Sequence, residues 1–103
     1  MRFTEFQGIP NNAAPHVGPL TIDDTARPLT SLITLDPATQ WVNIKVETAA
    51  LRLTVNGTPP TGTLGKNYVA DTEFMLSRQE ADNCQLVRST GASSAIQVAQ
   101  YKA

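Results

Sequence analysis

The chain has 103 residues, a formal net charge of -1 and a pI near 5.7, a length that accommodates one domain with one core and excludes two. Lacking a basic surplus, it has no electrostatic footprint for DNA or RNA, so nucleic acid is not an expected partner. Hydrophobic residues make up 41% and charged residues only 17%; with Thr, Val, Ala and Pro prominent, this favours a β-protein with large uncharged polar surfaces.

The opening MRFTEFQGIPNN holds no apolar run long enough for a signal-peptide core, and no stretch of the sequence is apolar enough to span a bilayer. The expectation is a protein made in a reducing cytoplasm, with no membrane partner. Cys84 is the one cysteine, so no internal disulfide forms; it alternates with Leu86, which points to burial as a small hydrophobe.

Residues 1–29 read as an extended, proline-rich arm. Pro10, Pro15, Pro19 and Pro28 each remove an amide donor, which excludes a long helix and argues against a central strand. Phe3, Phe6, Ile9, Val17, Leu20 and Ile22 are too thinly spread to bury one another, although Leu20-Thr21-Ile22 suits a short edge strand. Ordering each residue costs about 1–2 kcal/mol of backbone entropy, and burying a large apolar side chain returns roughly 1.5–3 kcal/mol. An arm of this composition is expected either to be mobile when the protein is alone or to be pinned against a partner surface; the second is favoured, with Phe3 and Phe6 docking on another subunit.

Residues 30–103 carry period-two patterning. Ile33 and Leu35 alternate with Thr34, and Asp36-Pro37-Ala38-Thr39 has turn chemistry, which predicts a hairpin into a strand over 41–47. There Val42, Ile44 and Val46 alternate with Asn43, Lys45 and Glu47. After a break at 48–50, Leu51, Leu53 and Val55 mark the next strand, and Asn56-Gly57 ends it in a type I′ turn or a bend. TPPTGTLGK, residues 58–66, is a loop, since two prolines and two glycines leave few ladder bonds. Tyr68–Leu76 reads as sheet, Ser77 with Glu80 as a capping box supporting one helical turn, 84–89 as a strand and 95–101 as the last strand. The sum is an all-β fold, an antiparallel β-sandwich of about seven short strands. Its expected core is Ile33, Leu35, Val42, Ile44, Val46, Leu51, Leu53, Val55, Phe74, Leu76, Cys84, Leu86, Ile96 and Val98.

Residues capable of chemistry are few. His16, the one histidine, sits among prolines with no neighbouring Cys, Asp or Glu, so it suggests neither a metal ligand nor a triad base. Asp23 and Asp24, as sequence neighbours, point apart and fit a solvated turn. Gly57, Gly62 and Gly65 are turn glycines: no GK[ST] follows them, as a phosphate loop requires. Asn56-Gly57-Thr58 has the form of a glycosylation acceptor and is read as a turn. One His and one Cys supply no set of nucleophile, base and orienting group, so no catalytic residue, cofactor or metal is assigned and the chain is not expected to be an enzyme. Trp41 shares a strand face with Asn43, Lys45 and Glu47. There it is either an exposed contact residue or a cover over the core edge beneath the arm.

The run VNIKVETAALRLTVNGTPPTGTLGKNYVADTEFMLSR, with the closing SAIQVAQYKA, resembles a group of small bacteriophage virion proteins. They share a strand ending in Glu-Thr (here Glu47-Thr48), an Arg-bearing strand (Arg52) and an Asn-Gly or Asp-Gly turn (Asn56-Gly57). A Pro-Thr loop with a following glycine (Pro60-Thr61, Gly65) and a last strand ending in Tyr (Tyr101) complete the series. The likeness covers residues 40–103 and leaves out the arm. It implies a capsid decoration or cement protein: β-rich, non-enzymatic, bound to the major capsid protein on the outer surface of the virion after assembly in the host cytoplasm. The same likeness implies a homo-oligomer, with a trimer favoured. The Asn-Gly turn with Pro-Thr is also similar to small sugar-binding β-sandwich modules of glycosidases, so the alternatives are another virion component (a head-to-tail connector or tail protein) and a carbohydrate-binding module. On the decoration reading, with Phe3, Phe6, Ile9 and Trp41 as contacts, deleting residues 1–12 abolishes binding to capsid shells in a pelleting assay and leaves the circular dichroism of the sheet unchanged.

Overall fold

Alternating burial organises the centre of the molecule. In the computed structural model, which describes residues 12–102, Val42, Ile44 and Val46 of Trp41–Val46 are fully buried, while Asn43 and Lys45 face outward. The described residues form eight strands: β1 (Asn12–Ile22), β2 (Arg27–Pro28), β3 (Trp41–Val46), β4 (Leu51–Thr54), β5 (Lys66–Tyr68), β6 (Glu73–Ser77), β7 (Gln85–Arg88) and β8 (Ser94–Tyr101). Two short helices, α1 (Leu29–Leu32) and α2 (Arg78–Asn83), complete the set. The strands make two four-stranded antiparallel sheets, in the orders β1-β8-β3-β6 and β2-β7-β4-β5. Their inner faces enclose one core cluster, so the fold is an all-β sandwich.

Among the described residues the sheets already include β1 and β2, whereas the expected sandwich starts at residue 30. β1 pairs along β8 from Asn12↔Tyr101 to Ile22↔Ser94, and β2 pairs with β7. The prolines permit this because both strands lie at sheet edges, where a missing N–H on the outer side breaks no ladder bond. Irregular register between Ala14, Val17 and Leu20 absorbs Pro15 and Pro19. The sparse apolar residues need not bury one another: Ile22 and Leu29 are buried in the common core. Phe3, Phe6 and Ile9 lie outside the described residues.

Two further expectations change. Residues 29–35 form the α1 turn and an irregular segment in place of a strand. Ile33 and Leu35 are nevertheless buried, because alternation reports which face of an extended chain is covered and says nothing of a pairing partner. The stretch read as sheet from Tyr68 to Leu76 is two strands in different sheets, β5 and β6. Between them Asp71 adopts φ 69, a left-handed conformation that Asp tolerates better than most residues. Val55, expected in the core, is 40% exposed since β4 ends at Thr54 and the chain bends at Asn56-Gly57. Phe74 is partly buried and packs against the core cluster. The capping box formed as read: the Ser77 hydroxyl accepts from the Glu80 amide, and Glu80 accepts from the Ser77 amide.

One end of the sandwich is plugged by a polar side chain. Gln100 continues the inner face of β8 beyond Ile96 and Val98 and is itself buried. Its Oε1 accepts from the Asp36 amide (2.9 Å) and from the buried Thr39 hydroxyl (2.7 Å). Arg78 donates through Nη1 to the carbonyls of Asp36 and Thr39, so the 36–40 turn is held from two sides. Gln100→Ala leaves an amide and a hydroxyl without their partner and is expected to cost about 1–3 kcal/mol in urea denaturation, whereas Gln97→Ala on the outer face changes stability by less than about 0.5 kcal/mol.

Candidate binding surfaces

The reactive side chains are dispersed and already engaged. His16 is exposed, with Nε2 3.1 Å from Gln97 Oε1. Asp23 accepts from the Thr25 amide and pairs with Arg27 at 3.3 Å. The Thr25 amide, helped by the Arg27 guanidinium, holds the Asp23 carboxyl below its ordinary range. Asp24 accepts from the Thr25 hydroxyl. Among the described residues no three His, Cys, Asp or Glu side chains converge as a metal site would require, and no helix is long and apolar enough to cross a membrane.

Exposed apolar groups, in contrast, include two that are neighbours on one sheet face. Trp41 is 50% exposed on the outer face of β3, opposite Tyr101 of β8 and Ser77 of β6, and the neighbouring outward position on β6 is Met75, 51% exposed. Among the described residues Trp41 stands out from the sheet. Asn43 sits between Met75 and Ala99, and Lys45 lies opposite Glu73, so the outer face is apolar and aromatic at one end and charged at the other.

Met75 continues this patch into a groove of about 540 Å³ at the side of the sandwich where β5 and β6 are the outermost strands. Val55, Leu64 and Tyr68 line it, with Lys66 and Glu80 also on its wall. Beneath, Tyr68 of one sheet stacks on Phe74 of the other, ring centroids 3.9 Å apart and 16° from parallel, and Lys66 Nζ lies 5.3 Å from the Tyr68 ring. The stack ties the two sheet edges together and makes a firm floor.

The groove wall formed by the Thr-Gly-Pro loop is held by Arg52. Its Nε donates to the Gly62 carbonyl (2.9 Å) and its Nη1 to the Gly65 carbonyl (2.8 Å). Gly65 has φ +115, and a Cβ there would lie 3.2 Å from both the Leu53 carbonyl oxygen and Pro60 Cβ. Thr61 Oγ1 accepts from the amides of Thr63 and Leu64, which turns the Leu64 side chain outward at 48% exposure. Arg52, Pro60-Thr61 and Gly65, prominent in the sequence, thus act as scaffolding. The residues they present, Val55, Leu64 and Met75, were not singled out from the sequence as contacts. For Met75 a signal existed: it is the outward member of the Phe74-Met75-Leu76 alternation.

Comparison with known proteins found no matching family model, no matching curated protein and no matching solved structure.

Cys84 bears on stability. Buried against the core, it donates weakly to the Ala81 carbonyl, and burial pushes its thiol up from 9.0 to about 11. The folded protein keeps the proton where the unfolded chain releases it, so this contribution is complete below pH 9 and is lost as pH rises towards 11. The stability difference between wild type and Cys84→Ala, read from urea midpoints, is expected to shrink over that interval. At pH 8 an aromatic disulfide reagent should react with the thiol only as the protein unfolds.

Proposed function

We propose that this chain is a non-enzymatic assembly protein of a bacteriophage virion, a capsid decoration protein that binds the outer shell and stabilises it by bridging subunits. The observation that supports this most is the grouping of Trp41, Tyr101 and Met75 on the outward face of a rigid sheet, away from any cluster of reactive groups. Exposed large apolar side chains on a small soluble domain mark a contact surface, and tryptophan is the residue most enriched at energetic hot spots. The resemblance of residues 40–103 to small virion proteins is the ground for proposing the major capsid protein as the partner of this contact.

Decoration does not require a large interface from each copy. Repetition over a symmetric shell, and linkage of copies within a homo-oligomer, multiplies a modest contact. The low charge of the chain fits a surface that meets another protein, since few ions must be stripped of water.

A second reading has an observation of its own. Trp41 is half exposed on a strand whose outward neighbour is Asn43, with Ser77 opposite, a setting in which an aromatic ring stacks on a pyranose while side-chain amides and hydroxyls bind its hydroxyl groups. Head-to-tail connector and tail protein are further virion roles for the same surface.

Trp41→Ala is expected to weaken binding to purified capsid shells by tenfold or more per contact, since a hot-spot truncation costs about 2 kcal/mol or more. Pelleting with shells checks this, and unchanged binding would remove Trp41 from the interface. Retention of the wild-type protein on glycan beads, unaffected by loss of residues 1–12, would favour the sugar-binding reading.

A further inference from the structure

β1 and β6 are the two edges of one sheet. Asn12 pairs with Tyr101, Tyr101 with Trp41 and Trp41 with Ser77, so these four residues form one row across the whole sheet. At about 4.8 Å per strand the row is about 14 Å wide. The chain enters the sheet at Asn12, on the β1 edge, while the groove of Val55, Leu64, Tyr68 and Met75 opens at the opposite edge, beside β6. Eleven residues precede Asn12, among them Phe3, Phe6 and Ile9 at intervals of three, with Arg2 just before Phe3 and Glu5 just before Phe6.

We infer that this groove receives the opening segment, residues 1–11, of a second copy of the chain, so that copies join head to tail. The inference rests on reading the chain as an assembly protein, and it names the receptor for its arm. Three features of the groove suit this occupant. Among the polar residues of its wall it presents three exposed apolar side chains, Val55, Leu64 and Met75, on which Phe3 and Phe6 can pack, and the Tyr68–Phe74 stack lies beneath them. Its two charged residues, Lys66 and Glu80, are of opposite sign, matching Glu5 and Arg2. The segment is also long enough: eleven extended residues span up to about 36–40 Å, well beyond the width of the sheet.

Segment and groove are different patches, so each docking is a head-to-tail contact, satisfied by two copies that exchange segments or by a larger closed ring, of which the expected trimer is one. A segment docking on its own chain would instead have to double back across the outer face, over Tyr101 and Trp41, and would leave the protein monomeric.

The test uses the full chain and light scattering or sedimentation. Wild type should run as a closed oligomer, and Phe3→Asp/Phe6→Asp (segment variant) and Leu64→Asp/Met75→Asp (groove variant) should each fall to the 11.1 kDa monomer. Mixed one to one, the two variants should form a complex of twice that mass, because one intact segment then meets one intact groove. Leu64 and Met75 are about half exposed, so the groove variant keeps its core; if its circular dichroism changes, Val55→Lys replaces it. A monomeric wild type overturns the inference, as does a groove variant of wild-type mass or a mixture that stays monomeric at the highest concentration reached. Pelleting with capsid shells separates this from the functional reading. A monomer that binds shells overturns the ring and leaves decoration standing, whereas an oligomer that ignores shells does the reverse.

Discussion

β8 lies between β1 and β3, and its Ile96 and Val98 are fully buried. Each sits in a row that crosses the sheet: Leu20, Ile96 and Val46 in one, and Val17, Val98, Ile44 and Phe74 in the next. Burial of two such side chains contributes about 3–6 kcal/mol, a large part of the roughly 5–15 kcal/mol by which a small domain is stable. Because β8 joins the first described strand to the centre of the sheet, the proline-bearing edge is only as secure as this strand. The outer-face row of Trp41 and Tyr101 inherits its geometry from the same register.

With few charges available, neutral and arginine side chains fasten the loops by hydrogen bonds, mostly to backbone amides and carbonyls. Arg78 and Gln100 hold the 36–40 turn at one end, and Arg52 holds the 58–65 loop beside the groove. An arginine can fasten a loop this way because its planar fork offers several donors in fixed directions and needs no carboxylate partner. In both places an irregular segment becomes a firm surface. The groove and the Trp41 patch are therefore presented by a scaffold with little freedom to rearrange, which favours binding by preformed shape.

Where the sequence was legible, the physical signal was local. Val42, Ile44 and Val46, Leu51 and Leu53, and Ile96 and Val98 lie inside as their period of two requires, and the Ser77–Glu80 box caps a single helical turn because both partners lie within four residues. Where it misled, the deciding partner was remote. Ile22 looked too isolated for a core because the surface that covers it comes from later strands, and Gln100, polar and near the chain end, gave no hint of filling an inner position. The turn at Asp71 was hidden because neither glycine nor proline marks it.

The amino-acid order by itself determined that this is a sandwich of short strands and which face of each central strand is inward, since alternation and turn chemistry act over a few residues. Only the tertiary structure decided that residues 12–28 belong to the sheets, that Tyr68 and Phe74 stack between them, and that Val55, Leu64 and Met75 share one groove. Each of those depends on which strand lies beside which, and hydrogen-bond partners and side-chain neighbours far apart in sequence are set by the packing of the whole chain.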